Sequence, residues 1–155
     1  MSSLVRRATV TDIAELLRLR GVMFNDMSAD SENESWTHSS RSLLERNLPT
    51  EAIIGAVIDR TMEPGLCGAG LLQIEESLGS PRFPRGVKGH ISSVAVDVSW
   101  RRRGLGERIV HFLVDEARSL GLERVELHAT DDGERIYRNL GFRDRSGGVE
   151  LRLEL

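Results

Sequence analysis

The sequence predicts an α/β protein of the α+β kind, with a mixed central sheet of about six to seven strands flanked by about four helices. Three observations predict it. Short apolar segments rich in Ile and Val recur between residues 52 and 98, one long amphipathic segment covers 104–120, and a further short strand follows that segment. The chain has 155 residues, a size that buries a core without disulfide staples, so a single domain over 1–155 is expected.

In chain order, Leu4 to Arg7 reads as a strand. Thr9 and Asp12 have the spacing of a capping box, with Asp in place of the usual Glu or Gln. Ile13, Leu16, Leu17 and Arg20 then mark one helical face, whose last member is an arginine. Gly21 interrupts, and Val22-Met23-Phe24 continues the helix or turns its end. Residues 28–40 are polar and read as a loop, Arg41 to Asn47 as a second helix closed by Pro49. Ala52 to Asp59 and Leu66 to Glu75 read as a strand hairpin around the turn Thr61 to Gly65, and 79–89 as a Pro- and Gly-rich loop. Ile91 to Val98 is the next strand. Gly104 through Leu120 is a helix with Ile109, Leu113, Ala117 and Leu120 on one stripe, stopped by Gly121. Arg124 to His128 is a strand, Asp131 to Leu140 a helix, and two short terminal strands straddle Gly147-Gly148. Antiparallel hairpins thus come first, followed by one parallel crossover over 91–128.

Composition sets several function classes aside. A net charge of −3 argues against wholesale nucleic-acid binding, which favours a strongly basic domain. No run approaches the roughly 18 apolar residues of a membrane span, and MSSLVRRATV lacks the apolar stretch of a secretory signal. Cys67 is the only cysteine, so a cytoplasmic protein is expected and Asn33-Glu34-Ser35 is a chance glycosylation match. His38 and His111 have no partner at metal-ligand spacing, and no metal is expected. Lys88 is the only lysine; the other basic residues are arginines, which suit bidentate phosphate recognition.

The crossover carries the chemistry. Within it, Val94-Ala95-Val96 ends a strand, Arg101-Arg102-Arg103 follows, and Gly104-Leu105-Gly106 opens the long helix. Glycine lets backbone N–H groups approach an anion, and the first N–H groups of a helix are unpaired at the positive end of its dipole. Together they suit a phosphate or pyrophosphate. A P-loop is excluded because no Lys-Ser or Lys-Thr occurs, and a dinucleotide fingerprint because Ile109 stands where its third glycine belongs.

Arg101-x-x-Gly104-x-Gly106 resembles the (Gln/Arg)-x-x-Gly-x-(Gly/Ala) signature of the GCN5-related N-acetyltransferases, the GNAT family. Tyr137 stands 31 positions after Gly106 and begins Tyr137-Arg-Asn-Leu140-Gly141-Phe142, which resembles the family's Tyr-x-x-Leu-Gly-Phe element. The order of predicted elements is similar to the GNAT fold over nearly the whole chain. The resemblance implies an acetyl-CoA-dependent N-acetyltransferase acting on a primary amine of a small molecule by direct attack on the thioester. It implies that the turn at Arg101, Arg102, Arg103, Gly104, Leu105 and Gly106 holds the pyrophosphate of acetyl-CoA. The pantetheine arm would lie along Val94, Ala95 and Val96, in a gap opened against the strand at 124–128. An N–H near Val94 or Ala95 would stabilise the oxyanion, and Tyr137 would hand a proton to the departing thiolate. Thr130 stands where the family often has an Asn that contacts the cofactor arm, and Val98 where it often has Pro.

The proton acceptor for the amine stays open among Glu75, Glu76, His90, Asp97 and His128. Acceptor specificity is expected from Met23, Phe24, Met27, Trp36 and the 77–90 connection. Asp26, Asp30, Glu32 and Glu34 are a solvated acidic stretch or an attractor for a cationic amine. Two other readings fit the same motifs: a non-catalytic acyl-CoA-binding module, which would not need Tyr137, and an acetyltransferase of protein N-termini or lysines. Homodimers are common in the family, so the resemblance admits one here.

Overall fold

In the computed structural model, which describes residues 4–27, 35–145 and 147–155, five strands form one sheet in sequential order. They are β1 (Val5–Arg7), β2 (Ile53–Asp59), β3 (Leu66–Glu76), β4 (Val87–Val96) and β5 (Arg124–Leu127). The first four run antiparallel to their neighbours, and β5 joins β4 in parallel. The helices are α1 (Ile13–Asp26), α2 (Ser35–Asn47), α3 (Leu105–Ser119) and α4 (Glu134–Asn139). No helix among the described residues is long and apolar enough to cross a membrane.

The sheet separates two apolar clusters because successive strand residues face opposite ways. On one side Ile13, Leu16, Leu17 and Leu19 of α1 and Leu44 of α2 pack on Ile53, Val57, Ala69 and Ala95. On the other, Leu105, Ile109, Val110, Leu113 and Ala117 of α3 pack on Ile54, Ala56, Leu72 and Ile91. The stripe predicted for α3 is therefore its buried face, except that Leu120 is exposed. Gly121, at φ +71°, ends the helix with a paired cap: Gly121 N–H donates to Arg118 O and Leu122 N–H to Ala117 O, both at 3.0 Å.

The mixed α/β architecture and the parallel crossover match the expectation, and the strand count comes close to it. Five strands form among the described residues rather than six to seven, because the two terminal strands are absent. Residues 149–155 alternate apolar and polar but pair with no strand, and Val149, Leu151, Leu153 and Leu155 are exposed. Alternation makes a strand only where a neighbouring edge supplies hydrogen bonds. The second helix begins at Ser35, inside the stretch read as a loop, because Trp36 and Leu44 pack against α1 and the sheet and outweigh the weak helix propensity of Ser, Thr and His. Residues 28–34 lie outside the described residues. Strand β4 begins at Val87, earlier than expected: the Glu123 carboxylate accepts the Arg85 and Val87 N–H groups at 3.2 and 3.3 Å. It ends at Val96, where a 3₁₀ turn over Val98–Trp100 takes over.

Asp97, at that turn, is 6% exposed. It accepts from Arg18 at 2.9 and 3.0 Å and from Arg60, while its N–H donates to Cys67 O at 2.9 Å. The cluster ties α1, the start of β3 and the end of β4 together. The Arg18 guanidinium, seconded by Arg60, holds the Asp97 carboxyl below its ordinary value of 3.8. A depressed folded-state value stabilises above the unfolded value and is lost as pH falls through it. Stability should therefore be constant above the carboxylate range and decline in acid below pH 3.8. Asp97→Asn should lower stability at neutral pH by about 1–3 kcal/mol and blunt that acid decline, as read by urea unfolding across pH. Ile109 is fully buried; Ile109→Ala should cost about 2–5 kcal/mol in the same assay.

Candidate active site

Strands β4 and β5 pair only from Lys88–Arg124 to Ile91–Leu127. Beyond that point β4 runs on to Val96 while the chain leaves β5, and a wedge-shaped cleft of about 730 Å³ opens between them. Val94, Ala95 and Val96 line one wall. Arg101, Arg102, Gly104, Leu105 and Gly106 line the end where α3 starts, and Thr130 and Tyr137 line the far side. Of the cofactor-binding and proton-donating residues that the resemblance implies, only Arg103 lies outside the lining; its guanidinium sits 4.9 Å over the ring of Trp100, which does line the cleft.

The turn before α3 is shaped by two residues in the left-handed region, Arg102 at φ +66° and Gly104 at φ +74°. Gly104 is the N-cap of α3. A Cβ built on Gly104 would meet nothing within 4 Å, and one on Gly106 only Ile136 Cδ1 at 3.9 Å, so backbone rather than side chain borders open space here. Arg101 is partly committed to structure: its Nε donates to Val96 O at 2.9 Å, and it pairs with Asp26 at the end of α1. That pairing also accounts for Asp26 of the acidic stretch; Asp30, Glu32 and Glu34 lie outside the described residues.

Midway along β4 the antiparallel ladder to β3 slips. Ala95 pairs with Ala69 and Ser92 with Leu71, so Ser93 and Val94 face Gly70 alone, and Ser93 adopts φ +57°. Such a bulge leaves ladder hydrogen-bonding groups free and bends the strand. Gly70 allows it: a Cβ there would stand 2.7 Å from Ile109 Cγ2 and 3.3 Å from Val94 Cγ2.

Tyr137 is placed by the end of its helix. Gly141, at φ +98°, lets its own N–H donate to Arg138 O at 3.0 Å and the Phe142 N–H donate to Tyr137 O at 3.1 Å. This is a Schellman cap, whose usual apolar contact is here the edge-to-face pair of Tyr137 and Phe142, 6.0 Å between ring centres. The Tyr-x-x-Leu-Gly-Phe element thus fixes the aromatic ring against the cleft. Burial pushes the Tyr137 phenol above its ordinary value of 10.0.

A second cavity of about 290 Å³ lies under α1 and α2. Ser92 and Ser93 line both cavities, so the bulge is their shared wall. Of the titratable side chains left open by the sequence, His90 lines this second cavity and His128 the first. Asp97 is consumed by Arg18 and Arg60, and Glu75 pairs with Lys88 at 3.5 Å. Arg20 also lines the second cavity, donating to Ser93 Oγ. The sequence reading passed over it, although an arginine in an apolar helical stripe was the signal. Among the described residues no group of three or more His, Cys, Asp or Glu is arranged to hold a metal ion.

A forked strand, a glycine-capped helix start and a capped tyrosine in one cleft agree with the outcome of comparison with known proteins. Residues 19–142 match the family model described as Acetyltransferase (GNAT) family. The chain belongs to that family. Among curated relatives, glucosamine 6-phosphate N-acetyltransferase 1 of rice (Oryza sativa subsp. japonica) is 36% identical over 83 residues, which are 52% of this chain and 47% of that protein. The Trypanosoma brucei brucei glucosamine 6-phosphate N-acetyltransferase is 38% identical over 77 residues, 48% of this chain and 51% of that one. The chain thus spans about half the length of the curated relatives it matches. Among solved structures, a predicted acetyltransferase from Clostridium acetobutylicum with acetyl-CoA superposes with a TM-score of 0.87 at 18% identity, covering 97% of this chain and 96% of that one. The glucosamine-6-phosphate N-acetyltransferase of Arabidopsis thaliana superposes with a TM-score of 0.76 at 20% identity, covering 99% of this chain and all of that one. These likenesses establish the GNAT fold.

The left-handed backbone at Gly104 gives a direct check on the turn. Gly104→Ala meets no steric obstacle, so any cost is conformational. It should lower stability by about 1 kcal/mol, read as a shift in thermal midpoint.

Proposed function

We propose that this protein is an N-acetyltransferase that moves the acetyl group of acetyl-CoA to a primary amine of a small molecule by direct attack on the thioester. The observation that carries this reading is the shared wall: among the described residues Ser92 and Ser93, at the bulge of β4, line both cavities. A thioester in the first cavity and an amine in the second would meet there without a covalent enzyme intermediate.

Acetyl-CoA fits the first cavity by chemistry. The open backbone around Gly104 and Gly106, at the start of the 15-residue α3, is suited to its pyrophosphate. Arg102 and Arg103 add positive charge at that turn, and Arg101 braces it. Val94, Ala95 and Val96, where β4 has left β5, offer an extended edge to the pantetheine arm. Thr130 stands opposite, its carbonyl capping α4 by accepting from Gly133 and Glu134 at 3.0 Å and its side chain left for the arm. An N–H of Val94, which the bulge leaves out of the β3 ladder, or of its neighbour Ala95 polarises the thioester carbonyl and takes up the negative charge as the amine nitrogen bonds to its carbon. His90 accepts the proton that the amine sheds. As the carbon–sulfur bond breaks, Tyr137 gives its phenolic proton to the sulfur; its raised value keeps that proton in place at neutral pH.

The second cavity, about 290 Å³, is sized for a small molecule rather than a peptide. Two curated relatives are named for glucosamine 6-phosphate, which makes amino sugars the first acceptors to test. Tyr137→Phe should lower kcat by about 10²-fold with acetyl-CoA affinity nearly unchanged, and His90→Gln should do the same. Thiol release from acetyl-CoA, measured against a panel of amino sugars, amino acids, polyamines and peptides, tests the whole reading; no acetyl-CoA binding and no thiol release with any amine would overturn it.

A further inference from the structure

Arg20 is the residue that the fold and the proposed chemistry leave unexplained. It occupies the α1 stripe begun by Ile13, Leu16 and Leu17, all buried, and its side chain enters the second cavity beside the bulge. Other structural arginines of the core margin are matched by carboxylates: Arg6 by Asp12 and Asp59, Arg18 by Asp97 and Glu15, Arg60 by Asp97 and Glu63. Among the described residues Arg20 has none. Its guanidinium donates to Ser93 Oγ, and its carbon lies 4.7 Å from the Phe24 ring centre and 5.9 Å from that of Trp36. Its Nε is buried and has no hydrogen-bond partner, and the same is true of the Trp36 indole N–H beside it. A guanidinium keeps its charge under any ordinary condition. A half-buried cation with no counter-ion among the described residues, its Nε buried next to a second orphaned donor, is costly to the free protein and complementary to an anion.

We propose that the acceptor is an anionic amine, whose carboxylate or phosphate is held by Arg20 while its amino group lies at the bulge near His90. The inference rests on the second cavity being the acceptor site. Arg20 bonds Ser93, and Ser93 belongs to the wall shared with the thioester cleft, so the anion and the reacting nitrogen belong to one compact molecule. Arg20 is here a binding and specificity-determining residue, outside the bond-making steps. The Arg20 guanidinium, lowered by burial from its ordinary value, is what an oxyanion arriving from solvent would relieve.

The test compares matched acceptors that differ only in the anion: glucosamine 6-phosphate against glucosamine, and alanine against alaninamide. The full-length protein should favour the anionic member of at least one pair in kcat/KM by about tenfold or more, and which pair responds separates phosphate from carboxylate. Arg20→Gln should abolish that preference by raising KM for the anionic acceptor, with affinity for acetyl-CoA unchanged; Arg20→Lys should restore part of it. A purely structural Arg20 would lower stability and acetyl-CoA affinity without altering the ratio within a pair. Equal rates within both pairs, or a preference that survives Arg20→Gln, would overturn the inference while acetyl-CoA turnover with other amines left the transferase reading standing. Should Arg20→Gln fail to fold, the ratios measured on the unaltered protein decide alone.

Discussion

Strand β4 lies between two neighbours that ask different things of it. To β3 it offers an antiparallel ladder of eight residues broken at the bulge, and to β5 a parallel one of four. A bulge bends its strand and increases the local twist, which works against keeping a parallel neighbour in step. The slip at Ser93 and Val94 and the parting from β5 after Ile91 therefore belong together. Both leave backbone hydrogen-bonding groups of β4 without strand partners, which a folded protein tolerates only where water or a ligand takes them up. The cleft is the form that this constraint takes in space.

The remaining structure holds β4 in that divided state. Behind the bulge, Gly70 gives room that Ile109 and Val94 would otherwise contest. At the end of the strand, Asp97 is gripped by Arg18 and Arg60, so α1 and the start of β3 fix where β4 stops and the turn toward α3 begins. Arg101 then bonds back to Val96 and pairs with Asp26, closing a short circuit from strand to turn to helix α1. Two residues in left-handed conformation within that turn, one of them the non-glycine Arg102, show that its path is imposed by these neighbours rather than chosen by local preference.

Much of this was legible in the sequence because the signals were local. The α3 stripe, the glycines that open and close it, the hairpins and the parallel crossover follow from periodicity and turn chemistry. The two motifs proved to be a helix start and a helix stop, with Gly141 setting the ring of Tyr137 through its cap. What stayed hidden was non-local. Nothing in Ile91-Ser92-Ser93-Val94 signals a bulge, since its cause is the space left by Gly70 across the ladder. The start of α2 at Ser35 depends on Trp36 finding α1, and the strand-like alternation of 149–155 found no edge to complete. Arg20 stood in plain view as a charge in an apolar stripe, yet only the absence of a carboxylate around it among the described residues gives it meaning.

The bulge also divides the two indoles of the chain. Trp100 lines the larger cleft with the Arg103 guanidinium over its ring, whereas Trp36 lies across the sheet against Phe24 and Arg20. With only two tryptophans in the chain, each side carries its own built-in fluorophore. Replacing either by phenylalanine would leave a single indole, in the larger cleft or beside Arg20, so the order in which two ligands enter could be followed in the same cuvette without labels.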